Sequence, residues 1–165
     1  MGDWSGTVPT ILPGDIPSGD DWKNILDELS ALSAAWTAYS PAWTGTVSDP
    51  AISNGTITGA YRRIGATLNV RVRIVMGSTT TFGSGVYRIS LPYALKNGSL
   101  LVAACVDASA GSVAWTGAAR IFAETATGDN MRIVVTDGVA GISPTVPFTW
   151  AASDILTIAG AGELA

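Results

Sequence analysis

Residues 57–76 read ITGAYRRIGATLNVRVRIVM, and this stretch decides the fold. Its second half alternates strictly, so that Arg71 and Arg73 share one face and the apolar residues share the other. The apolar set is Leu68, Val70, Val72, Ile74 and Met76. Gly65-Ala66 separates the two halves and supplies a turn. The stretch therefore predicts a β-hairpin with one buried face and one polar face, which is typical of antiparallel sheets.

Similar short runs of strand character follow the hairpin. We expect strands at 86–92, 100–106, 113–122, 131–135 and 155–159. Turn signals such as Asn97-Gly98 and Asp137-Gly138 separate them. About eight short strands with no helix between them predict a sandwich or a barrel. We expect residues 37–165 to form an antiparallel, jelly-roll-like β-sandwich of two sheets.

The segment before this domain has a helical period instead. Residues 20–36 read DDWKNILDELSALSAAW, and their apolar residues are separated by alternating steps of three and four, the spacing of a coiled-coil seam. This seam consists of Trp22, Ile25, Leu29, Leu32 and Trp36. Ser18 or Asp20 can cap the helix at its start. A helix of about 16 residues is marginal alone in water, so we expect the seam to be an oligomerisation surface.

Two partners for this seam stay open at the level of sequence. The helix could join sister helices around a symmetry axis, or it could dock on its own β domain. Residues 1–19 form a third segment, in which Pro9, Pro13 and Pro17 prevent a continuous helix and favour an extended arm. That arm either lies along another subunit or is a free terminus.

Composition favours a protein that is covered by copies or neighbours. Charged residues make up 13% of the 165 residues, against roughly 25% in ordinary globular proteins. Residues 1–36 hold six acidic residues and one lysine, net −5, whereas 37–165 hold eight basic and seven acidic residues, net +1. Because no Lys/Arg stripe is present, nucleic acid is not expected as a partner. No apolar run approaches 18 residues, so no membrane association is expected either.

The residue types needed for most catalysis are missing from this sequence. The chain has no His, which excludes the usual zinc sites and every Ser-His-Asp or Cys-His arrangement. Most carboxylates of the β domain lie in predicted turns, where Asp has a conformational role. Cys105 is alone in an apolar run, so it is expected to be buried and unpaired. We therefore expect no enzyme, no metal and no cofactor. The alternatives are a hydrolase that uses a pair of loop carboxylates and a turn-borne Ca²⁺ site at Asp129, Asn130 or Asp137.

Two further groups of residues are candidate contact sites. Arg62, Arg63, Arg71, Arg73 and Arg88 fall on neighbouring predicted strands and would gather on one sheet face. Arg62, Arg71 and Arg73 are the candidate contacts with the acidic segment of another subunit. The alternative is a solvated face on which the arginine stems cover apolar surface. Trp115, in GSVAWTG, is the candidate platform for stacking on a sugar. Trp43 and Trp150 are assigned to the core instead.

Several segments resemble a β domain that recurs in structural proteins of tailed phages and prophages of actinobacteria. These are WTAYSPAWTG (36–45), NGTITGAYRRIG (54–65), MGSTTTFGSG (76–85) and PFTWAASDILTIAG (147–160). The preceding GDIPSGDDWKNILDELSAL (14–32) resembles the short attachment or trimerisation segments before such domains. The likeness covers residues 36–160 and contains no catalytic motif.

The resemblance implies a homotrimeric virion protein. Because the N-terminus has neither a basic n-region nor an apolar h-region, we expect synthesis in the host cytoplasm. A long fibre would need a shaft, and this sequence has neither collagen-like repeats nor an extended coiled coil. We therefore expect a capsid decoration protein or a small surface spike, anchored by its arm and helix on major capsid or tail proteins. The alternative is a tail-fibre or tail-tip protein that binds a receptor or a host surface glycan.

Overall fold

The structure is a computed structural model that describes residues 18–33, 35–96, 98–111, 113–121, 130–135 and 141–165. These residues form one helix and nine strands, and every strand pairing is antiparallel. The elements are α1 (Gly19–Leu32), β1 (Thr37–Tyr39), β2 (Trp43–Gly45), β3 (Thr56–Ile64), β4 (Thr67–Val75), β5 (Tyr87–Ser90), β6 (Leu100–Asp107), β7 (Val113–Ile121), β8 (Asn130–Val135) and β9 (Ile155–Glu163). The prediction of a mainly β, antiparallel domain after one short helix is confirmed.

The strands form one continuous sheet that folds over on itself. Their order is β1-β3-β4-β9-β6-β7-β8-β5-β2, so β1 and β2 are the two edges. Only residues 40–42 connect these edges, and such a connection spans at most roughly 14 Å. The Tyr39 hydroxyl on β1 donates a hydrogen bond to the Ser90 carbonyl on β5 at 3.4 Å, across the junction. The sheet therefore encloses a single core.

The strand order consists of two Greek keys in sequence. In the second, β6, β7 and β8 are successive neighbours and β9 returns to lie beside β6. In the first, β1 and β2 act as two halves of one bent strand; β3 and β4 follow, and β5 returns beside β2. The jelly-roll order of the sequence prediction is not confirmed, because residue periodicity identifies faces and leaves the pairing of distant strands open.

The inward faces of the strands supply the core. The alternation of β4 is reproduced, with Leu68, Val70, Val72 and Ile74 buried and Arg71 and Arg73 exposed. Neighbouring strands continue the core with Leu156, Ile158, Leu101, Ala103, Cys105, Tyr87 and Ile89. Trp43 and Trp150 are also buried, as predicted. The indole of Trp43 meets the Tyr87 ring edge-on, with ring centres 5.0 Å apart.

Close backbone contacts explain the glycines of the loop before β5. A Cβ atom at Gly77 would lie 2.1 Å from the Asn54 side-chain oxygen. That same oxygen accepts hydrogen bonds from the Thr79 backbone N–H at 2.9 Å and from the Thr79 hydroxyl at 2.8 Å. Gly83 has φ +56° and would bring a Cβ within 2.3 Å of the Ser48 carbonyl. The loop between β2 and β3, which contains Ser48 and Asn54, can therefore pack against the loop before β5 only with glycine at positions 77 and 83.

The helix starts as predicted and ends earlier. The Ser18 hydroxyl accepts from the Asp21 N–H at 3.2 Å, and the Asp21 carboxylate accepts from the Ser18 N–H at 2.8 Å, which is a reciprocal N-terminal cap. The last helical residue is Leu32, so the predicted helix of 20–36 is too long and Trp36 lies outside it. Thr37 already pairs with Tyr61 of β3, and this pairing requires extended backbone.

Candidate functional site

The apolar stripe of α1 is exposed on the isolated chain. Trp22, Leu26 and Leu29 are 54%, 62% and 56% exposed, and Ile25 is half-buried. Leu26 is a member of the stripe that the heptad spacing missed, although it follows Trp22 by four residues and therefore shares its face. The side chain of Leu32 lies outside the described part of the structure. The β domain of the same chain therefore leaves Trp22, Leu26 and Leu29 largely uncovered.

The other side of α1 is polar and acidic. Lys23 Nζ lies 3.0 Å from Asp27 Oδ2 in an exposed pair one helical turn apart. The hydrogen bonds from the Ser18 hydroxyl and the Ser18 N–H hold the pKa of Asp21 below its usual value. From 19 to 32 the sequence has four acidic residues and one lysine, a net charge of −3. α1 is thus an amphipathic helix with an anionic side.

Trp36 is stacked against two of the arginines singled out from the sequence. The guanidinium carbon of Arg71 lies 4.6 Å from the centre of the Trp36 ring, and that of Arg62 lies 5.5 Å from it. Both distances are within the range of cation–π attraction. Arg62 Nε is buried and has no hydrogen-bond partner among the described residues. This contact holds Trp36, directly before β1, against the sheet.

The strand register brings three of the five predicted arginines together on one face. Arg63 lies opposite the inward-facing Leu68, and Arg88 lies on β5, which pairs with β2 and β8, so the prediction was wrong for these two. Asn69 lies opposite Arg62, and Arg71 and Arg73 lie opposite Ala60 and Thr58, so all three arginines project from the outer face. An open depression of about 330 Å³ lies beside them. Its lining is Thr58, Gly59, Ala60, Arg71, Val72, Arg73 and Thr157. Whether these arginines contact another subunit stays a prediction.

The same face continues as an apolar surface across β9 and β6. Ala159 of β9 lies between Arg71 of β4 and Val102 of β6 in one row of paired residues. Leu100 and Val102 are 59% and 63% exposed, and Ala159 is exposed as well. We call this surface the outer face of β4–β9–β6. The sequence reading missed it because the run around Cys105 is apolar at nearly every position and therefore gives no alternation.

Other ionisable groups have structural partners within the chain. Asp154 is fully buried and accepts from the backbone N–H groups of Ala108 at 2.9 Å and Ala151 at 2.6 Å. Cys105 is buried, as predicted, and this burial raises the pKa of its thiol to about 12. The Ser109 hydroxyl and two backbone N–H groups bond to Asp107 and lower the pKa of its carboxyl.

Two sequence predictions fall outside the described part of the structure. Only the backbone of Trp115 is described, in β7 opposite Cys105, so its role as a sugar platform stays a prediction. Residues 1–17 of the predicted arm are also outside it. Within the described ranges no group of three or more Asp, Glu or Cys side chains is placed to hold a metal ion. No helix in those ranges has the length and apolarity to cross a bilayer.

Comparisons with protein-family models, with curated proteins and with solved structures found no match to this chain.

Proposed function

We propose that this chain is a non-enzymatic structural protein of a virion that assembles through α1. The observation that carries the proposal is the exposed apolar stripe, in which Trp22, Leu26 and Leu29 are each more than half exposed. A helix of 14 residues gains most of its stability from packing of such a face. Three large apolar side chains on one exposed helix face are typical of a surface that another molecule covers.

The assembled form that we propose is a homotrimer on the surface of a capsid, as a decoration protein or a small spike. The arm of residues 1–19 and α1 make the attachment contacts with copies of the chain and with the major capsid or tail protein, and the β domain faces outward. The virion context and the number of three rest on the resemblance in 14–32 and 36–160. The low share of charged residues, 13%, fits a chain with extensive subunit contacts.

Light scattering of the full chain tests self-association directly. We expect a mass of about 51 kDa, three times the chain mass of 16.9 kDa. Leu29→Gln keeps a good helix former and removes the apolar side chain, so it is expected to shift the mass towards the monomer. Val47→Gln is the matched control, because Val47 is 78% exposed in the loop after β2. A wild-type chain that is monomeric at micromolar concentration would contradict the proposal.

Immunogold electron microscopy tests the location. Particles released from a strain that encodes the chain are labelled with an antibody against residues 37–165. We expect gold on the capsid shell. Gold on the tail tip would favour the receptor-binding or glycan-binding alternative, and particles without label would contradict a virion role.

A further inference from the structure

The exposed stripe of α1 has a complementary surface on the same chain, the outer face of β4–β9–β6. Two of its large apolar residues, Leu100 and Val102, are more than half exposed. Isolated exposed apolar residues are ordinary, but here they adjoin the exposed Ala159 and the half-buried Ala104 on neighbouring strands. Among the described residues there are thus two uncovered apolar surfaces, one on the helix and one on the sheet.

The outer face of β4–β9–β6 has the width and the distribution of charged and apolar side chains that fit the binding of one amphipathic helix. Three adjacent strands cover about 10 Å, close to the diameter of a helix at about 10–12 Å. Across that width the side chains change from cationic to apolar, through Arg71, Ala159 and Val102 in one row and Arg73, Thr157 and Ala104 in the next. The small side chains in the middle strand let a helix backbone approach closely.

Charge complementarity identifies the occupant. Neither Arg71 nor Arg73 forms an ion pair with a carboxylate among the described residues. α1 carries a net charge of −3, and Asp20 and Asp21 lie in its first turn. An anionic helix with an apolar stripe therefore matches a face that is cationic on β4 and apolar on β9 and β6.

We propose that α1 of one copy packs on the outer face of β4–β9–β6 of a neighbouring copy. Its apolar stripe contacts β9 and β6, and its acidic side lies towards Arg71 and Arg73. The occupant belongs to a second copy because, within one chain, the stripe and the face are both exposed, while Trp36 holds the end of the connecting segment over Arg62 and Arg71. Such a contact joins two different surfaces, and with the rotation of a threefold axis between copies it closes into the ring of three that the proposed homotrimer requires.

The inference rests on the proposed self-association through α1, and it adds the receiving surface. Two full-length variants separate the two surfaces. Leu29→Gln damages the helix and leaves the face intact, whereas Val102→Glu damages the face and leaves the helix intact. Val47→Glu is the matched control for an exposed Val→Glu change. Arg73→Glu is a second variant of the face that leaves every apolar residue in place. Circular dichroism melting verifies that each variant is folded.

Light scattering and sedimentation velocity are run on each variant alone and on the mixture of Leu29→Gln with Val102→Glu. Each variant alone is expected to be monomeric, with a dissociation constant raised at least about tenfold. The mixture is expected to form a one-to-one complex, because only one productive pair of helix and face remains. Arg73→Glu is expected to weaken assembly, and added salt is expected to weaken the wild type.

The outcomes distinguish the two proposals. If Val102→Glu and Arg73→Glu assemble like the wild type while Leu29→Gln does not, the helix assembles on sister helices, and the receiving face is refuted while the proposed function stands. If Leu29→Gln and Val102→Glu are each monomeric and form no complex on mixing, the packing of α1 on the sheet face of a neighbouring copy is refuted. If Leu29→Gln assembles normally, both proposals fail.

Discussion

The buried carboxylate of Asp154 offers the sharpest test of how the loop before β9 is held. It is fully buried and accepts hydrogen bonds from the N–H groups of Ala108 and Ala151. The backbone around it is tied to the end of β4, since Met76 N–H donates to the Asp154 carbonyl at 2.9 Å and Ser153 N–H donates to the Met76 carbonyl at 2.8 Å. The Asp154 side chain therefore ties the loop before β9 to the residue after β6, and the backbone of the same loop ties it to the end of β4.

Asp154→Ala removes the acceptor for both of these N–H groups. Each unsatisfied buried donor costs about 1–3 kcal/mol. Because Ala108 is itself exposed, water can replace one of the two bonds, and we expect the free energy of unfolding to fall by about 2–3 kcal/mol. For a domain of this size that loss corresponds to a melting temperature lower by roughly 5–10 °C.

The assay is urea unfolding and calorimetric melting at one fixed protein concentration, because self-association makes melting concentration-dependent. Asp49→Ala is the matched control: Asp49 is exposed and accepts a single bond, from Gly45 N–H at 3.1 Å. Its loss is expected to stay below about 1 kcal/mol. Asp154→Asn keeps one acceptor oxygen, so its loss of unfolding free energy should lie between those of Asp154→Ala and Asp49→Ala. If Asp154→Ala melts within error of Asp49→Ala, the reasoning about the buried carboxylate is refuted.

Two further predictions concern ionisable groups. Cys105 is the sole cysteine of the chain, and burial raises the pKa of its thiol to about 12. An aromatic disulfide reagent at pH 8 should therefore react far more slowly with the native than with the denatured protein. Equal rates in the two states would show that the thiol is accessible and would contradict the prediction. The Ser18 cap lowers the pKa of Asp21 below 3.8, so the carboxylate stabilises α1 above that pH, and this contribution is lost as the pH falls through the lowered pKa. Circular dichroism at 222 nm from pH 6 to pH 2 should show helix loss at the acid end in the wild type, and in Asp21→Asn this step should be absent; an identical acid step in that variant would contradict the prediction.

Local sequence patterns were sufficient to predict the elements whose contacts are between residues close together in the chain. The β3–β4 hairpin follows from strict alternation in 67–76 and a turn at Gly65, and its partner residues are close in sequence. The start of α1 follows from Ser18 and Asp21, which bond within one turn. The predicted end of α1 at residue 36 was wrong, because the position of that end depends on the pairing of Thr37 with Tyr61 of β3. The sequence of residues 33–36 contains no pattern that would indicate this pairing with a distant strand.

The candidate assembly surfaces were only partly predictable for the same reason. The stripe with Trp22, Ile25 and Leu29 follows from its spacing, and the gathering of Arg62 with Arg71 follows from hairpin register. The outer face of β4–β9–β6 depends on β9 being inserted between β4 and β6. Val102 could be recognised as outward-facing only from its pairing with Ala159.

By itself, the sequence determined that this protein is a mainly β domain behind an amphipathic helix, because side-chain period reports which face of each element is buried. Tertiary structure decided which strands are neighbours, how β1 and β2 bring the sheet edges together, and that Trp36 stacks on Arg62 and Arg71. The physical reason is that these features arise from hydrogen bonds and contacts between residues far apart in the chain, such as Trp43 with Ile89 and Ala103 with Ile158. Where side chains alternate, as in β4, periodicity assigns a strand its buried face; only the folded sheet assigns a strand its neighbour, and for β6 it assigns the face as well.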